Sequence, residues 1–122
     1  MGMIQERVFG DIAKKRAKQR EKGFTAEHDD QHKGGELAEG AGAFIIAAIG
    51  QLSKTEARNI PRVAAGWPFK EPFHAGETYE DNLISAAAML IAELERRYRL
   101  EQTIGMPTGI VPVTDGFAGG QQ

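Results

Sequence analysis

One stretch decides the fold class: Thr78-Tyr79-Glu80-Asp81-Asn82-Leu83-Ile84-Ser85-Ala86-Ala87-Ala88-Met89-Leu90-Ile91-Ala92-Glu93-Leu94-Glu95-Arg96-Arg97-Tyr98. Its apolar residues recur at intervals of three and four, at Leu83, Ala87, Leu90, Ile91, Leu94 and Tyr98. This spacing predicts an amphipathic helix over about 79 to 101, begun by Thr78 as its cap. Two Glu–Arg pairs four residues apart, Glu93 with Arg97 and Glu95 with Arg99, predict ion pairs within that helix.

Two further helices are predicted upstream of this stretch. Ile4, Val8 and Ile12 recur every four residues, which predicts a helix over about 3 to 22 that Gly23 ends. A second helix begins near Glu36, and its apolar set is Leu37, Ala41, Phe44, Ile45, Ala48, Ile49 and Leu52. Its glycines at 40, 42 and 50 each weaken a helix by about 1 kcal/mol, which indicates close approach of another backbone.

The remaining segments are irregular. Residues 59–76 hold three prolines, with Trp67, Phe69 and Phe73 among them, so they predict a loop that covers the core or offers a contact surface. A capping box over 53–56 opens a short helical turn, and Ile110–Val113 is strand-like. The expected fold is all-α: a small bundle of three main helices with a Pro/aromatic loop and an extended C-terminal tail. The expected division is a helical domain, 1–104, and a tail, 105–122.

Composition narrows the class of protein. The chain has 122 residues, a formal net charge of -2, 41% hydrophobic residues and no cysteine. No apolar run reaches the roughly 20 residues of a membrane span, and disulfides and thiolate chemistry are excluded. We therefore expect a soluble, cytoplasmic protein with no membrane partner. The balanced charge argues against general nucleic-acid binding, although six basic residues lie within 14–22.

Residues 23–37 contain many polar and charged side chains and lie between two apolar runs. If 26–32 are helical, His28 and His32 project from one face with the spacing of metal-binding histidines. Three interpretations stay open. Thr25 and the acidic residues after it can simply start a helix, the residues can bind a ligand without metal, or they can bind a metal ion. A zinc hydrolase is the weakest version, because spacing indicates no third ligand.

Several motifs resemble those of a group of small uncharacterised phage and prophage proteins. They are the basic run 12–19, Gly23-Phe24-Thr25, His28-Asp29-Asp30-Gln31-His32, Gly35-Glu36-Leu37-Ala38, Trp67-Pro68 and Ala86–Arg96. The resemblance covers about 12–97. Lys15 stands where the group has glutamate, and Phe24 stands where it has tryptophan or tyrosine. The resemblance implies a phage context, hence the host cell cytoplasm, rather than a reaction.

Two hypotheses about function follow. In the first, the protein is a binder, forming a homo-oligomer, that sequesters a nucleotide-like phosphorylated small molecule, and the phage context adds a counter-defence role. The expected roles are phosphate neutralisation by Arg16, Lys18 and Arg20, polar recognition by His28, Asp30 and His32, and base stacking by Trp67 and Phe69. The alternative interpretation is that the basic run forms a solvated helix face that binds no ligand. No cofactor is expected under this hypothesis.

In the second hypothesis, the protein resembles the MazG group of metal-dependent nucleotide pyrophosphohydrolases. Glu36, Glu39 and Asp81 would then hold Mg²⁺, which prefers oxygen ligands. Glu36 and Glu39 have the spacing of a first acidic pair, whereas Glu77 and Asp81 are one residue too far apart for the second. A structural or protein-interaction module is the third class, because the glycine-bearing helix and the apolar tail suit oligomer contacts.

Overall fold

The computed structural model describes residues 2–53 and 66–105, without the side chains of 52 and 53. These residues form four helices: α1 (Met3–Glu21), α2 (Ala26–Asp30), α3 (Glu36–Ser53) and α4 (Tyr79–Ile104). The prediction of an all-α fold with three main helices is confirmed, and no strand occurs within the described ranges. The predicted capping box over 53–56 extends beyond the described residues, and the strand-like run Ile110–Val113 lies wholly outside them.

The helix ends follow local chemistry. The hydroxyl oxygens of Thr25 and Thr78 accept hydrogen bonds from the backbone N–H groups of His28 and Asp81, as N-caps do. At the other ends, Gly23 (φ 114°) follows α1 and Gly105 (φ 73°) follows α4, in the left-handed conformation that glycine adopts without strain. The ends predicted from Thr78 and Gly23 are therefore confirmed.

Helix α4 forms the centre of the packing, and both long neighbours run antiparallel to it. On α3, Gly40 lies beside Met89 and Gln51 bonds to Asn82, so contacts move backward along α4 as α3 advances. On α1, Arg16 bonds to Glu95 and Gln19 bonds to the carbonyl of Ser85. Helices α1 and α3 consequently cover one side of α4 together.

The core contains mostly small side chains. Its buried members are Leu37, Ala41, Phe69, Ala86, Met89 and Ala92, with Phe24, Phe44 and Trp67 packed against them. The described part of the Pro/aromatic loop, 66–76, covers the core with Phe69 and Trp67, which is the first of its two predicted uses. The remainder of the predicted loop, 59–65, lies outside the described residues. A Cβ at Gly40 would lie 2.7 Å from Cε of Met89 and 3.1 Å from a ring carbon of Phe69, so Gly40 makes room for two side chains rather than for the other backbone that was predicted.

One buried polar network fixes the loop before α4. The Asn82 side chain, fully buried, donates to Gln51 Oε1 (2.6 Å) and to the carbonyl of Thr78 (3.1 Å). Its Oδ1 accepts from the N–H of Gly76 (2.8 Å), and Gln51 donates to the Gly76 carbonyl (3.0 Å). Because a buried amide is costly unless it is hydrogen-bonded, this network ties the loop to both α3 and α4.

The apolar stripe that marked α4 in the sequence does not face this core. Leu83, Leu90, Ile91, Leu94 and Tyr98 are 36–55% exposed, whereas Ala86, Ala88 and Ala92 are buried. On α1 and α3, Ile4, Val8, Ile45 and Ile49 are also exposed. On α4, a second face of small residues packs against α1 and α3 instead.

Residues of α4 also form ion pairs that the sequence did not predict. Glu95 pairs with Arg16 of α1, Arg99 with Asp30 of α2, and Glu93 with Arg96 three residues on. The hydrogen bonds that Arg96 donates to the Glu93 carboxylate raise the pKa of the Arg96 guanidinium above its usual value, so this buried side chain stays charged. Two of these pairs therefore link α4 to another helix, whereas the pair of Glu93 and Arg96 lies within α4.

Candidate functional site

The two histidines of the polar stretch lie together, as predicted. Helix α2 carries His28, and His32 follows one turn later, which places their ring centroids 4.5 Å apart. The arrangement depends on Thr25, whose hydroxyl oxygen caps the helix that presents His28. The spacing of four residues therefore does produce one histidine face.

A buried carboxylate between α1 and α2 holds His28. Asp29 is fully buried, and its two oxygens accept hydrogen bonds from Arg16 Nη2 (3.0 Å) and from His28 Nδ1 (3.0 Å). Because an ionised carboxylate only accepts, Nδ1 of His28 carries the hydrogen in this bond. Sequence reasoning gave a site role to Asp30 and missed Asp29, because burial of Asp29 depends on Arg16, thirteen residues away.

The second ring nitrogen of His28 is open to solvent. Nε2 forms no hydrogen bond, and among the described residues every buried side-chain nitrogen or oxygen has a partner. Since an unpartnered Nε2 would break that rule if it were buried, it reaches the surface, in keeping with a side chain that is 26% exposed. In the neutral imidazole with its hydrogen on Nδ1, Nε2 is an acceptor for an N–H or O–H donor.

Aromatic side chains from three segments, the turn between α1 and α2, helix α3 and the Pro/aromatic loop, continue this surface. We define the ring cluster as Phe24, His28, His32, Phe44, Trp67, Phe69 and Phe73. His32 and Phe69 have centroids 5.1 Å apart, Phe69 and Trp67 5.0 Å, and Trp67 and Phe73 5.0 Å. Phe69 is buried, whereas Trp67, Phe73 and His32 are partly exposed, so the cluster presents ring edges and faces to solvent above an apolar base.

The basic residues predicted to bind phosphate divide into two groups. Arg16 is 4% exposed and donates to Asp29, Glu95 and the carbonyl of Phe24, so its guanidinium is occupied by protein partners. Lys18 and Arg20 are exposed on the last turns of α1 and form no ion pair within the described part of the chain. Arg16 therefore positions Asp29, and only Lys18 and Arg20 remain available for an anion.

Asp30 is also engaged by the fold. It accepts three charge-assisted hydrogen bonds from Nε and Nη2 of Arg99, the shortest from Nη2 at 2.8 Å, and this contact raises the pKa of the Arg99 guanidinium. The pair joins α2 to α4 near the surface. Of the eight predicted ligand-binding residues, the structure therefore brings His28, His32, Trp67 and Phe69 together, and it places Arg16 and Asp30 in ion pairs.

The candidate magnesium ligands do not converge. Glu36 and Glu39 lie in the first turn of α3, and Asp81 lies in the first turn of α4. Because the two helices are antiparallel, their first turns lie at opposite ends of the pair, roughly 20 Å apart at 1.5 Å per residue. Within the described ranges, no group of three or more His, Cys, Asp or Glu side chains is placed to hold a metal ion.

No described helix is both long enough and apolar enough to cross a membrane. Comparison with protein families, with characterised proteins and with solved structures finds no match to this chain. The resemblance to phage proteins and the MazG hypothesis therefore stay predictions.

Proposed function

We propose that this protein binds, without turning over, a nucleotide-like phosphorylated small molecule at the ring cluster. The observation that carries the proposal is the meeting of His28 and His32 with Phe69 and Trp67, which come from segments more than thirty residues apart in the sequence. Partly exposed rings beside an open imidazole acceptor suit a planar base that also donates hydrogen bonds.

The rings supply the apolar part of such a site. Stacking of a base on an aromatic side chain contributes about 1–3 kcal/mol and tolerates any base. Trp67 is anchored for this purpose, because its indole N–H donates to the carbonyl of Glu71 (2.8 Å) and fixes the ring plane. Phe69 forms the buried base beneath it, so stacking on Trp67 would not need a rearrangement of the core.

The polar part comes from His28 and the end of α1. Asp29 and Arg16 hold the His28 ring, which leaves Nε2 to accept from a base or sugar donor. Lys18 and Arg20 lie within six residues of Phe24 in the sequence and supply unpaired positive charge for a phosphate. Charge-assisted hydrogen bonds of this kind are about twice as strong as neutral ones.

Sequestration is favoured over hydrolysis by the position of the acidic residues. A MazG-like mechanism needs paired carboxylates from adjacent helices around one metal site, but Glu36 and Glu39 lie at the opposite end of the α3–α4 pair from Asp81. The phage context and a counter-defence role rest on the sequence resemblance alone, and they fit a protein whose activity is binding.

A protein-interaction module is the second candidate, and the exposed apolar face of α4 favours it. The two candidates involve different surfaces, since the ring cluster contains no residue of α4. Loss of ligand binding would therefore leave the second candidate standing.

The test is a thermal-shift screen against nucleotides, cyclic nucleotide signals and ADP-ribose derivatives, with and without Mg²⁺ or Zn²⁺. A ligand at about 100 times its dissociation constant adds about 2.7 kcal/mol of stability. Each hit is then recovered by chromatography. Recovery of unchanged compound supports the proposal, recovery of a cleaved product indicates a hydrolase, and no shift with any compound contradicts nucleotide binding.

Matched variants locate the site. Trp67→Ala and His28→Ala should remove the shift caused by a hit, because they delete the stacking ring and the open acceptor. His74→Ala and Phe9→Ala are the controls, since both residues are exposed and lie outside the ring cluster. Equal binding by all four variants would show that the compound binds elsewhere on the protein.

A further inference from the structure

Helix α4 has an apolar face that no described helix covers. We define the outer face of α4 as Leu83, Ala87, Leu90, Ile91, Leu94 and Tyr98. Its large members are 36–55% exposed, and it lies opposite the side that packs against α1 and α3. A helix that is apolar on two opposite faces is typical of the interior of an assembly rather than of a surface.

The order of residues on the outer face is symmetric. Positions 83 and 98, 87 and 94, and 90 and 91 are each equidistant from the point midway between residues 90 and 91. If two copies of α4 align antiparallel about that point, Leu83 meets Tyr98, Ala87 meets Leu94, and Leu90 meets Ile91. Each contact then occurs twice, which is the property of a two-fold interface.

The helix dipoles of α4 suit an antiparallel pair. In that arrangement the two dipoles oppose one another, which is favourable, whereas a parallel pair would place like ends of the helices side by side.

The exposed area is enough for a stable contact. At roughly 200 Å² for a fully exposed large side chain, the outer face offers on the order of 500 Å² per copy, and about 1,000 Å² in a pair. That sum reaches the lower bound for a biological interface. Glu93, Glu95 and Arg99 are paired with residues of their own chain, so the interface would not have to bury those charges unpaired.

We propose that two copies of this chain form a dimer by pairing the outer faces of α4 antiparallel, with the two-fold axis between Leu90 and Ile91. The dimer does not rest on ligand binding at the ring cluster, because the two surfaces share no residue. It makes α4 the central layer of the assembly, with α1 and α3 on its inner side and the partner's α4 on its outer side.

Light scattering after size-exclusion chromatography tests the assembly. The full chain should have twice its mass of 13.3 kDa, and Leu94→Glu should reduce it to 13.3 kDa with an unchanged helical circular-dichroism spectrum. Ile45→Glu is the control, because Ile45 is similarly exposed but lies on α3. A monomeric wild type, as expected if another segment of the chain covers the face, overturns the proposal. So does a Leu94→Glu dimer.

Engineered disulfides test the register of the two α4 helices. Because the chain has no native cysteine, each cross-link can form only at the introduced position. Ile91→Cys should form a disulfide-linked dimer under mild oxidation, because residue 91 lies at the axis. Leu83→Cys alone should not, since its two copies would be roughly 22 Å apart at 1.5 Å per residue. A mixture of Leu83→Cys chains with tagged Tyr98→Cys chains should cross-link into a mixed dimer.

Each cross-linking result decides the orientation. Self-linking of Leu83→Cys at the rate of Ile91→Cys would indicate a parallel pair and overturn the proposal. Ile91→Cys that links no faster than Ile45→Cys, an equally accessible residue of α3, would also overturn it. These cysteine variants change the outer face little, so they stay informative even if Leu94→Glu fails to fold.

Discussion

The inner and outer faces of α4 use opposite kinds of apolar residue. The inner face buries Ala86, Ala88 and Ala92, whereas the outer face leaves Leu94 and Tyr98 about half exposed. Small side chains let α1 and α3 approach α4 closely, and the close approach brings polar groups such as Asn82 and Arg96 into the interior with their partners. The comparison teaches that the size of apolar residues, and not only their periodicity, indicates which contact a helix face makes.

Removing a buried charge beside the inner face should have the largest effect. Arg16→Ala leaves the fully buried Asp29 without its guanidinium partner, and breaking a buried pair in this way costs about 3–5 kcal/mol. Urea denaturation followed by circular dichroism measures the loss. Arg20→Ala, an exposed neighbour on α1, should change the unfolding free energy by less than about 0.5 kcal/mol.

Equal effects of Arg16→Ala and Arg20→Ala on stability would contradict the positioning role of Arg16. The same two variants also separate phosphate binding, predicted for the basic run, from the structural role of Arg16 beside Asp29. A residue that binds ligand phosphate affects affinity, and a residue that holds Asp29 affects the fold first.

The second largest effect should come from enlarging one alanine on each face. Ala92→Leu adds three carbons where the side chain is 1% exposed, and overpacking of this kind costs about 1–3 kcal/mol. Ala87→Leu adds the same atoms on the outer face, which no described helix covers, so a dilute sample should lose little stability. The measurement is the urea midpoint of both variants at low protein concentration. Similar losses of stability in the two variants would contradict the difference in packing between the inner and outer faces of α4.

Much of the fold was predictable from the sequence, because helix boundaries are set locally. The spacing of apolar residues, the caps at Thr25 and Thr78 and the stop at Gly23 all act within a few residues. The inner face of α4 was not predictable in the same way. Its alanines give a weaker pattern than the leucines of the outer face, and only the packed structure shows which set meets α1 and α3.

The candidate site also has one part that was predictable from the sequence and one part that was not. The approach of His28 to His32 follows from helical spacing and was predicted. The contact of both with Phe69 depends on how the Pro/aromatic loop returns to α3, which no local rule determines. The pair formed by Asp29 and Arg16 depends on the turn between α1 and α2, so the residue that orients His28 was missed.

The smallest expected effect compares two glycines of α3, and it sharpens the contrast between crowded and open faces. Gly42 has no atom within 4 Å of an added Cβ, so Gly42→Ala should stabilise the protein by about 0.5–1 kcal/mol through helix propensity. At Gly40 the same methyl group meets the end of Met89 at 2.7 Å and the ring of Phe69 at 3.1 Å.

Met89 can move, but Phe69 is held by rings on both sides, so Gly40→Ala should gain nothing or lose stability. Thermal unfolding of the two variants measures the difference, since both changes carry the same propensity gain and differ only in the surroundings of the methyl group. Equal stabilisation by both would mean that α3 and α4 are not in close contact at Gly40. That result would also remove our explanation for the alanines of the inner face, because we attribute these small residues to the close contact between α3 and α4.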